Sequence, residues 1–442
     1  MSLAILGSLY SCVSSPVIQP QINSLIAANR FGKAIEILNN GQNTYGPKNE
    51  LLFLLDKAYV LHIAGRYQES IHCFSLAQNA IDKLYTTSLS NLASTWLVND
   101  YMAPYRGEDF EHILVNIFQA LNYAAIGNID EALVEARDVD AHLSVLNNLY
   151  EDNEKFYTED AFARFFMGIL YETSARQQDL NDAVISYQKA LKAYQSKHAS
   201  YQGVEVIPEI LIENLLATMD YLGFSEFHDY LAQFPDISFT KLEDKRKKGE
   251  LYLIQYNGLS PIKHPSVIPL SLPGGYVSKI AFPKYDKRGY DIKYSILSAL
   301  DENQKEFKAP TVLAENIESL AIESLKLRRL RVYAKAIGRP LGKYLLEQKM
   351  DKRIERNYGR TSAAVYKGLA SWYNLFSEQA DVRSWQTLPS EIRLARLILE
   401  PGAYKLSLSH FDSADNLLDK EDFKSINLHP GEKKFLIVRT VR

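Results

Sequence analysis

The sequence DFEHILVNIFQALNYAAIGNIDEALVEARDVDAHL, at residues 109–143, decides the fold of the N-terminal half of the chain. Large apolar residues recur at helical spacing in its first part, and the small residues Ala132 and Ala136 lie one turn apart in its second part. Gly127 marks a turn between the two parts. Because small residues let two antiparallel helices approach closely, the stretch predicts a helical hairpin. A single hairpin cannot bury its own apolar face, so we expect neighbouring hairpins.

Four openings of a second helix resemble one another before residue 200. Each has a turn residue, an apolar anchor, two mostly polar residues and then a small residue, which is Ala34, Ser70, Ala132 or Ala183. The first two of these are 36 positions apart, close to the ~34-residue period of the tetratricopeptide repeat (TPR). We therefore expect a TPR-like helical repeat domain over residues 16–240, with insertions between its hairpins. An irregular α-helical bundle is the alternative, because it shows the same periodicity.

The sequence pattern changes after a charged linker at residues 241–248. Period-2 alternation predicts strands at 250–256, 266–270, 277–282, 290–300, 391–399, 403–409, 424–428 and 434–441, separated by Gly and Pro turns. A helical pattern interrupts them at residues 311–380. We therefore expect an α+β multidomain protein, whose residues 249–442 form an antiparallel, sandwich-like β-domain with a long helical insertion.

The two halves carry opposite charge. Residues 1–240 hold 14 Lys and Arg against 29 Asp and Glu, whereas residues 241–442 hold 36 against 24. Residues 326–360 have 12 Lys and Arg, which include Arg328, Arg329, Arg331, Lys335 and Arg339. Three partners fit such a basic helix: an anionic lipid surface, nucleic acid, or the acidic repeats of the same chain. We expect the acidic repeats to contact the insertion, and no nucleic acid to bind, because no recognisable nucleic-acid module accompanies these residues.

Two polar segments are candidates for a site. The loop before residue 109 carries Tyr105, Arg106 and Glu108, which predict either an interaction edge or a structured connection whose arginine pairs with an acid. A second group, around Leu388-Pro389, consists of Asp381, Arg383, Trp385 and Arg393. An Arg–Asp pair that steadies a loop under the tryptophan is the favoured interpretation of this group, and a polar pocket is the alternative.

The sequence shows no recognisable catalytic motif. It lacks the HExxH zinc motif, a phosphate-binding loop, the GxSxG nucleophile elbow and the protein-kinase motifs. Its nine histidines are scattered, and its two cysteines, Cys12 and Cys73, form neither a disulfide framework nor a metal-binding pattern. We therefore expect no catalytic residues, no metal site and no cofactor.

Residues 1–12, MSLAILGSLYSC, are an apolar run that ends in a small residue and a cysteine. Bacterial lipoprotein signals end in this way, with an aliphatic residue three positions before the cysteine, here Leu9, and a small one just before it, here Ser11. Tyr10 is bulky for its position, and no Lys or Arg precedes the run. A truncated lipoprotein signal, with lipidation at Cys12, and a short apolar N-terminus with a chance cysteine are both open.

Two long blocks carry a family resemblance. The first runs from PYRGEDFE at 104–111 through ALNY at 120–123 to EALVEAR at 131–137, and the second is QADVRSWQTLPSEI at 379–392, followed by PGAY at 401–404. Together they resemble an uncharacterised family of bacterial TPR lipoproteins of the Gram-negative envelope. The resemblance implies a signal peptide and lipidation at the first cysteine, Cys12, and it carries no activity and no binding site.

These features predict a non-enzymatic lipoprotein of the cell envelope that acts as a protein–protein interaction scaffold. Lipidation would attach it to a membrane, and Val13 after the cysteine favours the outer membrane, facing the periplasm. The expected partners are envelope proteins. The main alternative is a soluble cytoplasmic TPR scaffold, and an enzyme that acts on envelope glycans is less favoured.

Overall fold

The computed structural model describes residues 18–90, 103–149, 159–174, 176–196, 203–272, 276–327, 329–358, 361 and 379–442. The protein is α+β, with a helical N-terminal half and a C-terminal half rich in antiparallel sheet. The described α-helices of the first half are α1 (Gln19–Ala27), α2 (Phe31–Tyr45), α3 (Glu50–Ile63), α4 (Tyr67–Ser90), α5 (Asp109–Ala125), α6 (Ile129–Leu149), α7 (Ala161–Ser174), α8 (Gln177–Gln195), α9 (Glu209–Leu222) and α10 (Phe227–Gln233).

Consecutive helices pack in pairs, α1 with α2, α3 with α4, α5 with α6 and α7 with α8. Asn29, Gly65 and Gly127, in the turns of the first three pairs, adopt positive φ angles of 52°, 72° and 79°. Glycine reaches this conformation without strain, which explains its use where the chain reverses. Ala132 and Ala136 are fully buried in the helical core, as the hairpin prediction requires.

The described residues of the second half form a helical turn α11 (Leu242–Lys245), eleven strands and two further helices. These are β1 (Gly249–Asn257), β2 (Ile262–Leu272), β3 (Tyr276–Asp286), β4 (Tyr294–Leu300), β5 (Glu306–Pro310), β6 (Val312–Glu315), α12 (Ile317–Leu327), α13 (Arg329–Tyr358), β7 (Glu391–Leu399), β8 (Gly402–Phe411), β9 (Leu417–Asp422), β10 (Ile426–Leu428) and β11 (Lys433–Thr440). One sheet has the order β11-β1-β7-β6, and a second has the order β10-β8-β4-β5 with β9 beside β8. Strands β2 and β3 form a separate hairpin.

The first sheet is the middle layer of three. Leu251 and Leu253 of β1 pack in a core shared with the second sheet, whereas Tyr252, Ile254 and Tyr256 pack in the helical core. Successive side chains of a strand point to opposite faces, so β1 joins both cores and is buried along its whole length. The sheet therefore lies between the helices on one side and the second sheet on the other.

Four features of the structure differ from the sequence predictions. The helical insertion was expected at 311–380, but Val312–Glu315 forms strand β6, and helix begins at Ile317. Residues 312–315 are too few for their hydrophobic pattern to distinguish a strand from a helix. Strands β5 and β9 were not predicted, and β1 pairs with β11 in parallel within an otherwise antiparallel sheet. The charged segment 241–248 is a packed helical turn rather than a linker, because its Lys245 is buried.

Candidate interaction site

The inner face of the helical half is covered by the C-terminal half of the same chain. Residues 381–390, which we call the strap, lie against helices α1, α3 and α5. Gln19 Nε2 of α1 donates a hydrogen bond to the Ser384 carbonyl at 3.4 Å. Thr387 Oγ1 donates to Asp56 Oδ1 of α3 at 2.8 Å. The strap therefore fills a groove that a separate partner would otherwise be free to enter.

Trp385 is the apolar centre of this contact. Its side chain is fully buried, and its ring lies edge-on to Tyr59 and Phe118, with centroid distances of 6.1 and 5.8 Å. Edge-to-face contacts of this kind add to the stabilisation that burial itself gives. The backbone N–H of Trp385 donates to Glu111 Oε1 at 3.0 Å, so α5 holds the strap by its main chain as well.

Two buried carboxyl groups accept hydrogen bonds from the strap. Glu111 also accepts from the Tyr105 hydroxyl at 2.5 Å and the Glu108 N–H at 2.9 Å, and Asp56 accepts from the Tyr45 hydroxyl at 2.7 Å. Burial raises the pKa of Glu111 to about 7 and the pKa of Asp56 to about 6. Hydrogen bonds to the charged form oppose this shift only in part. The strap is thus held by acids that titrate near neutral pH.

A buried histidine links helix α3 to the middle sheet. His62 Nε2 lies 2.9 Å from the Tyr256 hydroxyl of β1, and His62 Nδ1 lies 2.6 Å from Asn122 Oδ1 of α5. Burial lowers the pKa of His62 to about 4, so the ring is neutral at ordinary pH. A neutral ring that donates from Nδ1 and accepts at Nε2 satisfies both partners. His62 is therefore a structural hydrogen-bonding residue of the junction.

The sequence-predicted loop residues lie at this junction. Tyr105 is buried, Arg106 is exposed, and Glu108 pairs with Lys263 at 2.5 Å. Arg383 lies over the Tyr105 ring, 5.6 Å from its centroid. The loop is thus a structured connection as well as a meeting point of the two halves. The two sequence blocks that carried the family resemblance are in contact here.

Arg383 also pairs with Asp381 at 2.7 Å, which confirms the favoured interpretation of the second polar group. Arg393 is not part of that pair, because it binds Glu391 at 3.0 Å on strand β7. Cys12 and Arg328 lie outside the described residues. Arg329, Arg331, Lys335 and Arg339 lie on α13, but their side chains are outside what the structure describes.

A second buried polar cluster joins the halves at the other end of the sheet, and the sequence did not indicate it. Glu172 of α7 accepts hydrogen bonds from Lys245 at 2.5 Å and from Lys433 of β11 at 2.8 Å. The two ammonium groups hold the pKa of Glu172 far below its ordinary value, against the effect of burial. Arg396 of β7 pairs with Glu213 of α9. Lys433 and Arg396, which both lie on the middle sheet, therefore form ion pairs with acidic residues of the helical half.

An open cleft of about 380 Å³ lies on the outer face of the helical half, between α4, α5 and α6. It is lined by Ser75, Gln78, Asn79, Ile81, Asp82, Asn116, Asp138, Ala141 and His142. At its edge, Glu135 Oε2 accepts hydrogen bonds from Gln78 at 2.7 Å and from Asn116 at 3.1 Å. Burial raises the pKa of Glu135 to about 7. The cleft presents amide, carboxylate and imidazole groups to solvent.

Comparison of the chain with protein-family models, with curated proteins and with solved structures finds no match in any of the three. Among the described helices, none combines the length and the apolar character needed to cross a bilayer. Within the same residues, His, Cys, Asp and Glu side chains form no group of three or more arranged to hold a metal ion.

Proposed function

We propose that the protein is a non-enzymatic scaffold of the Gram-negative cell envelope, anchored to the outer membrane through a lipid on Cys12. In this proposal its helical half is a TPR-like array that binds another envelope protein, and its two packed sheets are a sandwich-like domain that stiffens the array. Support comes from the paired helices, from their tightly packed small residues Ala132 and Ala136, and from the core that the two sheets share.

The outer face of the array is the proposed docking surface. The first helices of the pairs face the strap and the middle sheet, so their inner groove is already filled. The second helices carry exposed apolar side chains, namely Leu76 on α4, Val134 and Val145 on α6, and Ile185 on α8. A partner docked on this face would cover these side chains, which lie on three neighbouring helix pairs.

The cleft between α4 and α6 is the single observation that carries the proposal. Gln78 and Asn79 line it with side-chain amides that are not fully buried, and each amide has both donors and an acceptor. Such groups match the N–H and C=O groups of an extended peptide backbone, which carries the same pair at every residue. We therefore propose that the partner inserts an extended segment into this cleft.

Site-specific crosslinking tests the docking surface. A photo-crosslinking amino acid at Asn79, an exposed position in the cleft, is expected to give one protein adduct of constant mass in intact cells. The matched control carries the same group at the exposed Leu417 of β9, on the far sheet, and should give none. Equal adducts from both positions, or none from Asn79, would contradict the proposal.

Mass spectrometry tests the anchor. We expect a diacylglyceryl group on Cys12 in protein extracted from native membranes. A chain found in the soluble fraction with an unmodified, uncleaved N-terminus would instead favour the cytoplasmic scaffold.

A further inference from the structure

The hairpin β2–β3 and the helices α12 and α13 form one unit, which we call the arm. Within the described residues β2 and β3 pair only with each other, and α12 and α13 both contact β3. The base of the arm is fixed to the body, because Ile317 and Leu320 are buried in the helical core and Lys263 pairs with Glu108. An isolated two-stranded hairpin is marginally stable, so the packed helices are what make the arm a defined structure.

Exposed apolar side chains are concentrated on the arm. Leu345 and Leu346 of α13 are 61% and 54% exposed, and Val267 and Ile268 of β2 are 50% and 51% exposed. Ile337 and Met350 of α13 are also exposed. Single exposed apolar residues are ordinary on a protein surface, but several on one structural unit mark an interaction surface.

The arm is also strongly basic. Residues 262–286 and 317–358 together hold 14 Lys and Arg against 6 Asp and Glu, although the whole chain has a net charge of −3. Among the described side chains of α13, Lys349, Arg353 and Arg356 are exposed to solvent. The acidic repeats therefore do not cover these three residues. The predicted contact between the acidic repeats and Arg329–Arg339 stays a prediction.

We infer that the arm lies on an anionic membrane surface, with Leu345, Leu346 and Met350 at the boundary between headgroups and acyl chains and basic side chains against lipid phosphates. An element that is apolar and basic at once fits this surface, because burial of apolar groups and attraction to anionic headgroups act together. A nucleic-acid surface would use the charge and leave the exposed leucines in water. The inference goes beyond the proposed scaffold and does not require the lipid on Cys12.

The proposed lipid on Cys12 would hold the chain to the membrane at one residue only. Contact through the arm would also fix the orientation of the protein on the membrane. The inference therefore adds a second membrane contact, made by the folded chain itself.

Vesicle flotation tests the inference on the full chain with Cys12→Ala, which removes any contribution of the anchor. We expect it to float with vesicles of phosphatidylcholine and phosphatidylglycerol, to bind pure phosphatidylcholine vesicles weakly, and to dissociate as salt rises. The variant Lys349→Gln/Arg353→Gln/Arg356→Gln should bind about a hundredfold more weakly, since each basic residue near an anionic leaflet contributes roughly a fivefold factor. Leu345→Ser/Leu346→Ser should also bind more weakly, at every salt concentration.

The matched control is Lys33→Gln/Lys189→Gln/Lys192→Gln, which removes three cations from the helical half and should bind as the parent does. All residues replaced in the arm and control variants are exposed, so an unchanged unfolding midpoint checks that each variant folds. Three outcomes overturn the inference. They are no binding to anionic vesicles, equal binding by the arm and control variants, and self-association in sedimentation that Leu345→Ser/Leu346→Ser abolishes, which would assign the surface to a second copy of the chain.

Discussion

The backbone N–H of Trp385 donates a hydrogen bond to Glu111 Oε1 at 3.0 Å, although the two residues are 274 positions apart in the sequence. The same carboxyl group accepts the Tyr105 hydroxyl and the Glu108 N–H through its other oxygen. Glu111 thus ties the strap to the loop before α5. This contact therefore joins residues of the two halves that are far apart in the sequence.

Replacing Trp385 with alanine should open a cavity at the centre of this junction. The side chain is fully buried against Tyr59 and Phe118, so we expect a loss of about 3–5 kcal/mol in the free energy of unfolding. Urea denaturation measures it, with Leu417→Ala as an exposed control that should stay near the parent. A loss below about 1 kcal/mol would mean that the strap is not a packed part of the core.

The stability of the junction should depend on pH through Asp56. Burial raises the pKa of Asp56 from 3.8 to about 6, so the folded state holds this proton more tightly than the unfolded state. The resulting stabilisation is complete below the unfolded pKa and is lost as the pH rises through the folded value. Asp56→Asn lacks this titrating group, so the unfolding free energy of the parent should fall relative to this variant by about 2 kcal/mol between about pH 4 and pH 7.

Urea denaturation across this pH range is the measurement for Asp56→Asn. The exposed Asp236→Asn is the control and should follow the parent at every pH. Parallel curves for the parent and Asp56→Asn would show that Asp56 titrates in the folded protein as it does in the unfolded chain.

Glu172 should have the opposite pH behaviour and a large mutational cost. Its pKa is lowered, so its contribution is present above the unfolded pKa and is lost as the pH falls. Glu172→Gln leaves Lys245 and Lys433 buried with less compensation, and we expect a loss of about 3–5 kcal/mol at neutral pH. The double variant Glu172→Gln/Lys433→Met should recover part of it. If the losses of the single variants Glu172→Gln and Lys433→Met simply added in the double variant, the two residues would not be coupled.

Replacing Ala132 with leucine should overpack the contact between α5 and α6. Ala132 is fully buried, so we expect a loss of about 1–3 kcal/mol in the free energy of unfolding, measured by thermal or urea denaturation. Val134→Leu, two residues further on and exposed, is the matched control. If both variants were as stable as the parent, the packing of this helix pair would be looser than the structure shows.

Helix pairs and most strands could be predicted because their signals are local. The spacing of Ala132 and Ala136 and the alternation in β1 follow directly from the geometry of a helix and of a strand. Strand β9 was not predicted, because its residues 417–422 are mostly charged and partly exposed. The segment therefore shows no alternation of apolar and polar residues. The parallel pairing of β1 with β11 depends on contacts between distant residues, which periodicity does not encode.

The candidate sites were predicted less completely, for a physical reason. Asp56 lies in the apolar run LLFLLDKAYVL at residues 51–61, and this setting is a signal that its carboxyl group would be buried. Lys245 lies among other charged residues, and nothing in that pattern separates it from its solvated neighbours. The cleft between α4 and α6 is formed by three helices together, so its lining could not be inferred from any one of them.

The position of strand β1 has a consequence for the order of folding. Residues 249–257 are flanked by β7 and by β11, so neither edge of this strand is paired until residues 391–399 and 433–440 have been synthesised. The inner faces of α1, α3 and α5 are also left uncovered until the strap, residues 381–390, has been synthesised. A ribosome-bound or truncated chain that stops before residue 381 would therefore expose apolar helix faces and unpaired strand edges, a combination that promotes aggregation. Biogenesis of this protein is expected to depend on chaperones until its last strand is in place.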